Sequence, residues 1–206
     1  AAKIDDDDHA GTKFSSGTLP PEMFDVLSDE EGGGKQQFND YFKYERDKNT
    51  ELWRKIAPTW TKKGVVAVKT FDATRGSAGL PYDLVGASEA VDVWAFGLML
   101  FKLCTGEDLL KVNRDDDLAG PAELAAAATW TPAKLRKKIG RAFGKARISD
   151  PAAIDLLQQL LSPDPTKRPE TMNAVLEHVF FKADKSGGGG DAAVQQKLDA
   201  LLKGQQ

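Results

Sequence analysis

The chain has 206 residues, 41% hydrophobic and 29% charged; that is room for a domain and a half at about 150 residues per domain, and it excludes wholesale disorder. With 28 Lys and Arg against 31 Asp and Glu, the net charge is −3, so no overall basic field draws the chain to nucleic acid or an anionic membrane. A single cysteine, Cys104, excludes an internal disulfide framework and a Cys-rich zinc module, and a reducing, cytoplasmic setting is expected.

The N-terminal stretch AAKIDDDDHA has neither an initiator Met nor the apolar core of a signal peptide. Its Asp5–Asp8 run reads as a solvated loop. The segment FSSGTLPPE (14–22) is turn-like, because the Pro20-Pro21 pair does not fit a helix interior. Gly32-Gly33-Gly34 marks a loop tip. Phe38, Tyr41, Phe42 and then Leu52, Trp53, Ile56 recur at helical spacing and predict one broken helix or two short ones, closed by Pro58. Val65–Phe71 (VVAVKTF) is β-branched and aromatic and predicts a strand.

A long helix is predicted from Ser88, its N-cap, with Glu89 and Asp92 in the first turns where negative charge suits the dipole. Its body, VDVWAFGLMLFKLCTG, is apolar nearly all round, the pattern of a central helix buried on every side. A carboxylate there, Asp92, needs a partner or must neutralise. Further helices are expected at Pro121–Ala128, at Thr131–Phe143 (basic and amphipathic), and at Asp150–Leu161, where Asp caps and Pro takes the first helical position. SPDPTKRPE is a rigid loop, followed by a short helix over Glu170–His178. Gly187–Gly190 reads as a linker and Asp191–Leu202 as an amphipathic helix. No apolar run approaches the ~20 residues that cross a bilayer.

Three stretches, in order, resemble the C-terminal lobe of eukaryotic protein kinases. Pro20-Pro21-Glu22 is similar to the Ala-Pro-Glu that closes the activation segment. Asp92-Val93-Trp94-Ala95-Phe96-Gly97 resembles the start of the lobe's central helix. Leu160 to Pro169 (LLSPDPTKRP) and Val175 to Phe181 (VLEHVFF) resemble the final helices, with Val179 where the family usually has Pro. The likeness covers residues 1–27 and 88–185 and implies a mainly α, protein-kinase-like C-lobe over 1–185. Within it, 28–87 is a strand-containing insertion between activation segment and central helix; 186–190 is a Gly-rich linker and 191–206 a C-terminal helix that starts another segment.

The resemblance also implies roles. It pairs Glu22 with Arg168 to pin the activation segment, and it gives Asp92 hydrogen bonds from a catalytic-loop backbone. It makes Pro21, Trp94 and Gly97 structural members of the motifs. Ser15 falls at the position of the P+1-loop Thr and Thr18 where Tyr is frequent, so Ser15, Ser16 and Thr18 form the substrate and activation-segment set, Ser16 and Thr18 as phosphorylation candidates.

What a kinase needs besides these is a Gly-rich phosphate loop, a strand lysine, His-Arg-Asp with its Asn, and Asp-Phe-Gly. Neither His-Arg-Asp nor Asp-Phe-Gly occurs in the sequence, and His9 and His178 have the wrong neighbours. Val66-Ala67-Val68-Lys69 is similar to the family's lysine strand but lies after the Ala-Pro-Glu-like motif, so a coincidental strand is expected. The family's Asp-Phe-Gly would fall just before Ala1, as in a kinase domain cut after its metal motif. The expectation is therefore a Ser/Thr-type kinase C-lobe with no catalytic, cofactor or metal residue of its own; ATP and magnesium belong to an intact parent. Its partners are a protein substrate or another protein, and the missing N-terminal lobe, with no nucleic acid and no membrane. A pseudokinase or scaffold module is the alternative reading. A lobe without its covering helix and catalytic loop is expected to expose apolar surface near Trp94–Leu103 and to be marginally stable.

Overall fold

The computed structural model describes residues 15–182; the acidic run, the Gly-rich linker and the C-terminal amphipathic stretch lie outside the described residues. In chain order the elements are β1 (Phe24–Leu27), α1 (Gly34–Tyr41), α2 (Lys43–Lys48), α3 (Thr50–Ile56), β2 (Thr59–Thr61), β3 (Gly64–Val68), α4 (Glu89–Thr105), α5 (Pro121–Ala128), α6 (Pro132–Ala146), α7 (Pro151–Leu160) and α8 (Met172–Leu176). The class is mainly α with one small sheet, as the sequence implied. The described residues form two compact units, one from 15–88 plus 110–130, the other from 89–109 plus 131–182. No described helix is long and apolar enough to cross a membrane.

In the first unit, β3 is the central strand of an antiparallel sheet of order β1-β3-β2. Strands place successive side chains on opposite faces, and β3 is buried on both: Val65 and Ala67 pack with Leu27, Phe38, Tyr41, Phe42 and Tyr82, while Val66 packs with Leu19, Met23, Phe24, Leu118 and Ala127. The strand ends at Val68, short of the predicted Phe71: Lys69 still bonds in register with the residue before β1, and only from Thr70 does the backbone leave the ladder. Lys69 N–H donates to Met23 O (2.8 Å), and Thr70 N–H donates to the Tyr82 hydroxyl (3.1 Å), which donates to Thr70 O (3.0 Å).

The aromatic stretch forms three short helices rather than one or two. Breaks fall at Phe42 and at Asn49, whose side chain caps α3 by accepting from Leu52 N–H. Here the buried Glu45 is 5% exposed and is held by Arg75 at 3.2 Å, which also reaches Asp72.

In the second unit α4 packs against α6, α7 and α8. Asp150 caps α7, accepting from Ala152 and Ala153 N–H. Leu156, Leu157, Leu160, Leu161 and Val175 are fully buried. Helix α6 runs to Ala146, past the predicted Phe143, and ends on Arg147 in the left-handed region (φ 57°). The last helix is shorter than predicted, starting after its cap Thr171.

Helix α4 departs from the expectation of burial all round. Val93, Trp94, Gly97, Leu100, Phe101 and Cys104 are buried, but Met99 and Leu103 are 52% and 43% exposed, and Asp92 is exposed on the same stripe. The helix thus has two apolar faces, and the described residues cover one. Burial on the covered face pushes the Cys104 thiol up to about 11, so at pH 8 its thiolate is roughly a hundredfold scarcer than in the unfolded chain. Alkylation at pH 8 is expected to be slower by about that factor in buffer than in urea; equal rates would contradict the burial. Because folding disfavours the thiolate, this group removes stability as pH rises from about 9 towards 11, and none below.

Candidate functional site

The predicted site residues fall in both units. In the first, residues 15–18 are fastened to the loop 112–118. Ser16 N–H donates to Asp117 Oδ1 (2.8 Å), as does the Ser16 hydroxyl (3.0 Å), and that hydroxyl accepts from Leu118 N–H (2.9 Å). Ser15 Oγ donates to Asp115 O (3.2 Å), and Gly17 N–H donates to Asp116 O (3.0 Å). The approach at Gly17 is close: a Cβ there would lie 2.4 Å from both Asp116 O and Val112 Cγ1. Asn113 shapes the loop, its side chain accepting from Asp115 and Asp117 N–H, and Asp116 takes φ 60°.

Thr18 is exposed and donates to Ser15 O. Pro21 opens a 3₁₀ turn that includes Glu22 and ends on the buried Met23. The clamp residues Gly17 and Asp117 escaped sequence reasoning. Asp117 sits 101 positions from Ser16, in an acidic run that reads locally as solvated.

Placing a second carboxylate at position 16 sets like charges within hydrogen-bond distance. Ser16→Asp is expected to destabilise by about 1–3 kcal/mol, and Asp117→Asn should return part of that loss. A Ser16→Asp protein that melts with the wild type would disprove the clamp.

In the second unit the structure brings together Trp94 and Arg168. The Arg168 guanidinium is buried, at 4% exposed. Its Nε–H donates to Ser162 O (2.9 Å), its Nη1–H to Ala90 O (3.1 Å), and it lies 5.1 Å from the Trp94 ring centroid. Trp94 offers its ring face; its buried Nε1 has no acceptor among the described residues. Gly97 is where α7 comes closest to α4: a Cβ there would be 2.9 Å from Leu160 Cβ and from Leu161 Cδ2. Asp92, in the first turn of α4, is exposed and takes no part in this cluster.

Residues 83–181 match the family model of the protein kinase domain. This is a protein kinase-like segment. The chain is 30% identical over 108 residues to mitogen-activated protein kinase 10 of Oryza sativa subsp. japonica, an alignment covering 45% of this chain and 18% of that protein. It is 37% identical over 108 residues to a serine/threonine-protein kinase of Candida albicans, with 46% and 14% covered. The chain spans less than a fifth of the length of either relative.

The kinase-like segment contains Asp92, Trp94, Gly97 and Arg168, whereas Ser15–Glu22 lies outside the matched range. Among the described residues no group of three or more His, Cys, Asp or Glu could hold a metal ion. Lys69 follows the middle strand of an antiparallel sheet that β1 and β2 flank on both sides, with no Gly-rich phosphate loop before it.

Proposed function

We propose that this chain supplies the peptide-docking and activation-segment part of a Ser/Thr-type protein kinase C-lobe, the phosphoryl transfer to protein hydroxyls being carried out by an intact parent holding ATP and magnesium. The single observation that carries the reading is the ordered set of motifs, Pro20-Pro21-Glu22, then Asp92 to Gly97, then Leu160 to Pro169, with the kinase-domain match spanning the last two. In this reading 28–87 is an insertion between the activation segment and α4. Within the activation segment, Thr18 rather than Ser16 is the hydroxyl open to modification, because Ser16 is turned into Asp117. The lone buried Cys104 supports a reducing, cytoplasmic setting.

The test is the coding sequence upstream of Ala1. His-Arg-Asp, an Asn five residues on, and Asp-Phe-Gly would support the active kinase. Degenerate forms would favour the second reading, a pseudokinase or scaffold module that binds protein partners. For the chain by itself, magnesium-ATP is expected to leave the melting temperature unchanged; a positive shift would overturn the view that it carries no nucleotide site.

A further inference from the structure

Helix α6 and its C-terminal cap hold seven of the chain's 28 basic residues, and no acidic residue occurs between Glu123 and Asp150. The helix is fixed by its apolar side: Leu135, Ile139, Ala142 and Phe143 are 1–3% exposed. At 100° per residue, Lys134, Lys138, Arg141 and Lys145 fall within about 60° of one another around the axis, and successive members are about 4.5–6 Å apart along it. Lys137 borders this row. Of these five, Lys138 is half-buried and the other four are exposed. One end already takes a carboxylate: Lys145 forms an ion pair with Glu107, and Lys145 foremost, then Lys138 and Arg141, hold the Glu107 carboxyl below its ordinary range. Lys137, Lys138 and Arg141 form no ion pair among the described residues.

We propose that the outer row of α6 is a docking strip for an extended acidic segment of a partner protein. An extended chain places alternate side chains on one face about 6.6 Å apart, close to the spacing of the cations, so acids at every second position can face them in turn. A membrane is the poorer occupant, because the apolar face of α6 is buried within the protein and none of it is left to insert. Nucleic acid is poorer too: the exposed side of α6 carries no aromatic residue for bases to stack on. A membrane or a duplex would also meet the rest of a chain whose net charge is −3, whereas a short segment meets only the strip.

The strip stands apart from the kinase reading, since its test reads binding alone. The probe is a fluorescein-labelled 12-residue peptide with Glu at alternate positions, followed by anisotropy on the full chain at 50 mM salt. Binding is expected to weaken severalfold at 300 mM salt, to vanish for the peptide with Gln in place of Glu, and to drop at least tenfold in Lys137→Glu/Arg141→Glu. The milder Lys137→Gln/Arg141→Gln, with an unchanged circular dichroism spectrum, should show an intermediate loss. No binding at 50 mM salt, equal binding by the variants, or tighter binding of oligouridylate of the same charge or of phosphatidylcholine vesicles with 30% phosphatidylserine would overturn the proposal.

Discussion

Replacing Arg168 with alanine is expected to lower the stability of the chain by about 3 kcal/mol, read as a shift of the urea midpoint. The loss has separable parts. Two hydrogen bonds from a charged donor, to Ser162 O and Ala90 O, are each worth about 1.5–3 kcal/mol. The stack on Trp94 adds about 0.5–2 kcal/mol. Against them stands the cost of keeping a guanidinium out of water, which the substitution relieves, so the net falls below the sum. Arg168→Lys should recover less than half, because an ammonium is a point charge without the planar fork that reaches two carbonyls and lies flat on an indole. A cost under 1 kcal/mol, or full recovery by lysine, would show that the cation is incidental.

Gly97→Val should cost at least as much. The helix gains from losing a glycine, by about 1 kcal/mol for alanine and less for valine. That gain is opposed by overpacking, typically about 1–3 kcal/mol for added methylenes. Here the obstacles are Leu160 and Leu161, both fully buried and only 2.9 Å from where a Cβ would stand, so neither can swing aside. Alanine should therefore come out destabilised by about 1 kcal/mol, and valine, with two further methyls, by about 3 kcal/mol or more. Urea titration of the series orders the three, and an alanine variant more stable than glycine would mean that α4 and α7 have room to part.

Local signals were the legible part of this chain. Asp150 announces α7 because a cap and a helix-opening proline are adjacent in sequence, and Pro121–Ala128 has the predicted bounds because proline alone opens it, after a glycine that offers no side-chain cap. The motif residues Trp94, Gly97 and Arg168 were legible through the family resemblance. The carbonyl acceptors of Arg168, Ser162 O and Ala90 O, were not, since backbone carbonyls leave no mark on the sequence. The Ser16–Asp117 clamp joins residues 101 positions apart in the chain, and nothing near either one signals the other. For α4, composition revealed apolarity around the whole helix but carried no information on which face finds cover. The three short helices over 34–56 were read as one broken or two, because the apolar period lapses between Phe42 and Leu52, where α2 buries Glu45 against Arg75 instead.

Neither compact unit is made from one continuous stretch: 89–109 belongs with the later residues, and 110–130 returns to the earlier ones. This bears on how the chain leaves the ribosome. The strands are complete once Val68 is added, but Leu118 and Ala127, which cover Phe24 and Val66, come some 50–60 positions later. At about 5–20 residues per second the delay is about 3–12 s. Helix α4, complete at Thr105, then waits in its turn for α6 and α7, which end at Ala146 and Leu160. A nascent chain with an open sheet face and an uncovered apolar helix is a natural client for a ribosome-associated holdase, and its yield should depend on translation rate.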